Sequence, residues 1–205
     1  MDRLRHLIFT SILVACLPAL GCNNKATPTP APGRFDAVKS QDAPASLASF
    51  CERNLPAQGE GATRYSAAPL REIAGHRRKE AAVGKWHWLN LWASWCGPCL
   101  EEMALLAKWK QALHADGIDV DLELMSIDEE EAPLLGALKR EMPGRVSWLR
   151  SNDDLAPFLS HLGVDKNSAI PIHAFVDPQG NLRCVRVGSV RESDFGTIRT
   201  LVGGG

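Results

Sequence analysis

Two cysteines separated by two residues, Cys96-Gly97-Pro98-Cys99, are the residues of this chain best suited to do chemistry. The spacing lets both sulfurs close a small ring at the start of a helix, so the pair can cycle between dithiol and disulfide. Cys96 would lie just outside the first helical turn, where unpaired backbone N–H groups and the helix dipole favour a thiolate, which makes it the expected nucleophile. Cys99, one turn into the helix and more buried, is the expected resolving thiol. Pro98 is tolerated because its missing N–H falls in the first turn. The competing use of such a pair is half of a zinc site, which needs a second ligand pair at comparable spacing. Cys51 and Cys184 are isolated, and His87, His161 and His173 show no paired spacing and read as satisfied polar residues. No metal and no cofactor are called for.

The elements that must position the pair are legible around it. Trp86 to Trp92 is an apolar run suited to a buried strand. A helix is predicted from Cys96 to Ala115, with Met103, Leu106, Trp109 and Leu113 at helical spacing and Asp116-Gly117 as its stop. Strands are predicted at 118–127 and 146–150, and helices at 130–141 and 153–162. Beyond Pro171, Ile172 to Val176 and Leu182 to Val187 flank the turn signal Asp177-Pro178-Gln179-Gly180-Asn181, which predicts a hairpin, and 192–202 closes as a helix. The pattern predicts an α/β fold: a mixed central sheet with helices on both faces and a C-terminal hairpin plus helix. Residues 46–85 are less regular. Pro69 to Ile73 is suited to one more strand, and His76 to Glu80 to a solvated charged loop.

Composition narrows the function classes. The 205 residues are 45% hydrophobic and carry 23 basic against 24 acidic side chains, for a net charge of -1. A nucleic-acid partner is not expected, because binding one needs clustered Lys and Arg. Residues 1–21 have the layout of a secretory signal: Arg3 and Arg5, an apolar stretch from Leu7 to Leu20, then Gly21. That stretch, broken by Pro18, is short of the roughly 20 apolar residues a spanning helix needs. Ala19-Leu20-Gly21-Cys22 resembles a bacterial lipobox with its first two residues exchanged, which implies lipidation at Cys22. Ordinary signal cleavage or an uncleaved anchor are the alternatives. Residues 22–45 then form an Ala/Pro-rich tether, too poor in apolar residues to fold, and 46–205 form the folded domain.

The chain resembles the thioredoxin superfamily, specifically the membrane-tethered TlpA/ResA-like thiol-disulfide oxidoreductases, over about Pro69 to Val202. The resemblance is carried by Leu89-Asn90-Leu91-Trp92-Ala93-Ser94-Trp95-Cys96-Gly97-Pro98-Cys99, by Glu101-Glu102-Met103, and by Ser168-Ala169-Ile170-Pro171 with the Asp177-Pro178-Gln179-Gly180 turn. It implies a thioredoxin-like fold and an active-site turn of Trp95, Gly97 and Pro98. It also implies a cis Pro171 opposite Cys96, which leaves the Ile170 backbone to pair with an extended peptide. A trans proline starting an edge strand is the alternative. Classical thioredoxins carry a buried Asp where this chain has Asn90; in the TlpA/ResA-like branch the acid-base candidate is a Glu that maps onto Glu102. Its competitor is Glu101, and favourable charge near a helix start would explain either residue without a catalytic role. Ala104 stands where many relatives have a helix-kinking proline, so the helix is expected to be straighter.

The remaining cysteines follow from compartment. Cys16 leaves with the signal. Cys51 and Cys184 would face an oxidising environment, where pairing is the simple inference, and some relatives carry a comparable bridge. Three functions compete: a reductase of exported proteins such as apocytochrome c or copper-site assembly proteins, fed by a membrane electron donor; a disulfide oxidase or isomerase; and a non-catalytic peptide-binding module. Gly97-Pro98 and the branch resemblance favour the reductase, working as a monomer held to the extracytoplasmic membrane face, on the periplasmic side in a Gram-negative cell.

Overall fold

In the computed structural model, which describes residues 46–204, the apolar run before the cysteines is strand β4 (Trp86–Trp92), with α2 (Gly97–Ala115) beyond it. Before β4 come a helical turn α1 (Leu47–Phe50) and three two-residue strands, β1 (Arg53–Asn54), β2 (Thr63–Arg64) and β3 (Leu70–Arg71). After α2 the chain continues through β5 (Val120–Ser126), α3 (Glu131–Ala137), β6 (Arg145–Leu149), α4 (Leu155–Leu162), β7 (Ile172–Val176), β8 (Asn181–Val187) and α5 (Phe195–Gly203). Short 3-10 turns, Asn152–Asp154 and Glu192–Asp194, lead into α4 and α5. The expectations for a signal, a lipidated Cys22 and a tether fall outside the described residues. Among the described residues, no helix is long and apolar enough to cross a membrane.

The sheet runs in the order β1-β8-β7-β4-β5-β6-β3, and β2 also pairs with β8. β4 pairs parallel to β5 and antiparallel to β7, and β7 pairs antiparallel to β8, so the sheet is mixed as predicted. Alternation along β4 divides the core. Trp86, Trp88 and Trp92 face a cluster with Leu106, Trp109 and Leu113 of α2 and Ile198 of α5; Leu89 and Leu91 face the other side, with Phe158, Leu159 and Leu162 of α4. Helices therefore cover both faces. α2 runs unbroken past Ala104.

Several predicted bounds differ. The helix predicted at 130–141 stops at Ala137, where the Leu138 N–H closes on the Leu134 carbonyl. Gly136 weakens it from within. Gly144 then passes so close to β5 that a Cβ would lie 2.2 Å from the Leu122 carbonyl oxygen, which requires glycine there. The strand predicted at 69–73 shortens to Leu70–Arg71, and Ile73 instead bridges to His76 across a tight turn. The predicted start at Asp153 is a 3-10 turn rather than α-helix.

At the amino-terminal ends of the parallel strands, opposite the cysteines, Glu123 receives His87 Nε2 at 2.8 Å, together with Arg145 and the Ser147 hydroxyl. Arg145 also reaches Asp121 at 2.9 Å. Burial pushes the Glu123 carboxyl up, but the His87 hydrogen bond, the Arg145 and His87 charges and the Ser147 hydroxyl outweigh it and hold the group down at about 2. A carboxyl held below its unfolded value stabilises the fold above that value, near 4.5, and loses this contribution as pH falls towards about 2. The gap corresponds to about 3 kcal/mol. Urea unfolding between pH 5 and roughly pH 2 is expected to show this loss in the wild type and a flatter profile in Glu123→Gln. Parallel profiles for the two proteins would contradict it.

Candidate active site

The helix start explains the site. Cys96 is the N-cap of α2, with extended backbone (φ -83°, ψ 100°), and Pro98 lies in the first turn. The Cys96 sulfur accepts the Cys99 backbone N–H at 3.2 Å, one of the amides a helix start leaves unpaired. Cys96 and Cys99 are joined as a disulfide, with Cα atoms 5.3 Å apart. Cys96 retains 5% exposure and Cys99 none, so an external thiol meets Cys96 first. Gly97 and Pro98 are exposed, and Trp95 stands 67% exposed beside them. A groove of about 780 Å³ follows α2 from Leu100 to His114 and is lined by neither cysteine.

Opposite the pair, the Ile170–Pro171 bond is cis, and the Ile170 carbonyl oxygen lies 3.9 Å from Cys96 Sγ. Pro171 is buried at the head of β7 and Ile170 is half-buried. Cys51 and Cys184, far from each other in sequence, are joined in a second disulfide that ties the end of α1 to β8.

Asp128 holds the turn before Cys96, a role the sequence reading did not assign. Buried just past β5, it accepts the Ser94 N–H at 3.0 Å, the Ser94 hydroxyl at 2.6 Å and the Ser126 hydroxyl at 2.7 Å. Its backbone carbonyl in turn accepts Trp148 Nε1 at 2.7 Å and Arg71 Nη2 at 2.9 Å, while the Arg71 guanidinium lies over the Trp148 ring. Asp128→Ala strands two hydroxyls and an amide; it is expected to cost about 2–3 kcal/mol in urea unfolding and to slow insulin-disulfide reduction. Wild-type stability and rate would contradict this role.

Beneath the pair, Glu102 is 4% exposed and lies three residues after Cys99, on the same helix face. One carboxylate oxygen accepts Asn90 Nδ2 at 2.8 Å, and the other accepts the Val190 N–H at 3.0 Å. Glu101, its competitor, is exposed. His173 of β7, read from sequence as an ordinary polar residue, sits in this group with Nε2 3.4 Å from Glu102. Asn90 and His173 are cross-strand partners on β4 and β7, a juxtaposition that strand order creates and residue spacing does not reveal. Among the described residues, no group of three or more His, Cys, Asp or Glu could hold a metal ion.

Residues 78–201 match the family model described as Redoxin. The chain belongs to the redoxin family. This redoxin is a thiol-disulfide oxidoreductase with a thioredoxin-like fold. Among solved structures it is similar to a thioredoxin-related protein from Neisseria meningitidis serogroup B, at 20% identity over 66% of this chain and 93% of that one, with a TM-score of 0.49. It is also similar to the thioredoxin domain of a thiol-disulfide oxidoreductase from Bacteroides vulgatus, at 21% identity over 58% and 80% of the two chains and a TM-score of 0.47. StoA from Bacillus subtilis matches at 16% identity over 58% and 84%, with a TM-score of 0.44. The comparison with curated proteins finds no match.

Proposed function

We propose that this redoxin is an exported, membrane-anchored reductase of disulfides in extracytoplasmic proteins, with apocytochrome c and copper-site assembly proteins as the substrate class. The observation that carries the reading is the Cys96–Cys99 pair at the start of α2, beside the Ile170 carbonyl and the cis Pro171. A Cys96 thiolate attacks a substrate disulfide, one substrate sulfur leaves as a thiolate, and the other stays bound to Cys96. Cys99 then gives up its proton and attacks Cys96 Sγ, which releases the second substrate sulfur and closes the Cys96–Cys99 bond. Glu102 takes the Cys99 proton. The Ile170 backbone, just before β7 and outside its ladder pairing, suits an extended peptide, whose main chain supplies hydrogen bonds that tolerate many sequences.

Gly97-Pro98 supports reduction as the direction, with a membrane donor returning two electrons to the pair. Residues 1–21 act as the signal, Cys22 carries the lipid, 22–45 are the tether and 46–205 the working domain, a monomer. Fractionation combined with assay tests this reading. The full-length chain is expected in the membrane pellet with insulin-reducing activity, and Cys22→Ser is expected to release that activity to the soluble fraction. A soluble wild type, or a membrane form unable to reduce insulin, contradicts the proposal.

A further inference from the structure

His173 stands beside Glu102 in a way that its residue type and place in the chain do not explain. It is fully buried at 0% exposure in the otherwise apolar strand Ile172-His173-Ala174-Phe175-Val176. Its Nδ1 faces Trp88 Nε1 at 3.2 Å and Asn90 Nδ2 at 3.3 Å. An indole N–H and an amide NH2 only donate, so Nδ1 must be the accepting nitrogen and carries no proton. In the neutral ring the proton is then on Nε2. Nε2 has no hydrogen-bond partner in the disulfide form, and Glu102 Oε1 lies 3.4 Å from it, too loose for a formed bond but within reach of a small shift.

We propose that His173, locked by Trp88 into its Nε2-protonated form, is the positioning residue that readies Glu102 to receive the Cys99 proton. This rests on the reading of Glu102 as the acid-base group. The Glu102 carboxylate has two formed N–H bonds, from Asn90 and Val190, and gains a third when His173 Nε2 closes the 3.4 Å gap in this buried site. In the resolving step the Cys99 S–H proton moves to Glu102, the Cys99 sulfur bonds to Cys96 Sγ, and the substrate sulfur leaves Cys96 as a thiolate that solvent protonates. His173 keeps its own proton throughout and tightens on Oε1 only while the carboxylate is charged. The ring is held for this by more than Trp88: its neighbours include Trp88 at a centroid distance of 6.0 Å, and Trp88 packs in turn on Phe175 and Trp109. Among the described residues, His173 on β7 is the titratable side chain paired with Glu102, and Cys99 precedes Glu102 by three residues on its own helix. One strand further, Arg186 of β8 pairs in register with His173, and its guanidinium is engaged by the Phe50 and Ser189 carbonyls and the Phe50 ring.

The test follows glutathione release from the Cys96 mixed disulfide against pH in the full-length chain. His173→Asn keeps an acceptor for Trp88 but loses the donor to Glu102; its profile is expected to move about one pH unit to the alkaline side. His173→Gln restores an N–H near the Nε2 position and is expected to follow the wild type. Glu102→Gln serves as the reference and is expected to abolish the acidic limb. If Glu102→Gln changes the profile but His173→Asn does not, or if both His173 variants shift alike, the role of His173 is overturned while that of Glu102 stands. If Glu102→Gln leaves the profile unchanged, the reading of Glu102 itself fails. The wild-type protein supplies a check independent of the variants' folding: 15N shifts of the His173 ring should show a bare Nδ1 and a protonated Nε2, and a proton on Nδ1 overturns the inference.

Discussion

Cys96→Ser is expected to lower insulin-disulfide reduction by at least about a thousand-fold, while Cys99→Ser retains the first attack and stalls as a mixed disulfide. The asymmetry follows from the helix start. Cys96 is the sulfur that meets solvent and receives the Cys99 amide, so its thiolate is stabilised where substrate can reach it. A hydroxyl in its place is too weak an acid to be ionised near neutral pH and too poor a nucleophile towards sulfur. Cys99 is fully enclosed and can attack only a sulfur already bound at Cys96. Mass spectrometry after incubation with oxidised glutathione checks the order: one adduct is expected on Cys99→Ser and none on Cys96→Ser. An adduct on Cys99 in the Cys96→Ser protein would reverse the assignment.

The second large effect concerns stability. Removing the Cys51–Cys184 bridge as Cys51→Ala/Cys184→Ala is expected to cost about 2–5 kcal/mol and to lower Tm by on the order of 10 °C. The bridge spans a sequence separation of 133, so it restrains most of the unfolded domain. In the folded state it fastens a segment of short strands to β8, beside the buried Phe50 that packs against Phe175. β1 and β2 are two residues each, and their pairing to β8 is supplemented by Arg53 donating to the Leu162 carbonyl at 2.9 Å and Arg186 donating to the Phe50 carbonyl at 3.1 Å. Calorimetry of the two proteins checks this, and an unchanged Tm contradicts it. Insulin reduction at 25 °C is expected to persist in the double variant, since neither cysteine takes part in the exchange.

The contrast between β4 and β1 shows where sequence reading succeeds. Trp86–Trp92 and Ile172–Val176 were bounded correctly because each is a run of apolar residues between clear turn signals. Arg53–Asn54 and Thr63–Arg64 are polar and too short for any period, and they are strands only because β8 offers them an edge. Within the site, Cys96 and Cys99 declare themselves by type and spacing, and the resemblance points to Pro171 and Glu102. Asp128 and His173 were missed because their roles arise across strands. A charged residue ending a buried strand and a histidine inside an apolar one were the available signals. Either has an unremarkable explanation until the register of β4 with β5 and β7 brings it to the cysteine helix.

On the proposed function, Cys96 and Cys99 form a reversible couple poised to reduce. The most direct measurement is the midpoint potential of that couple, titrated against glutathione in the full-length chain and read by the mass of alkylated Cys96 and Cys99. A two-electron transition is expected nearer the roughly -270 mV of thioredoxin than the roughly -120 mV of a strong disulfide donor. A midpoint close to -120 mV, or a pair that does not titrate at all, would contradict it.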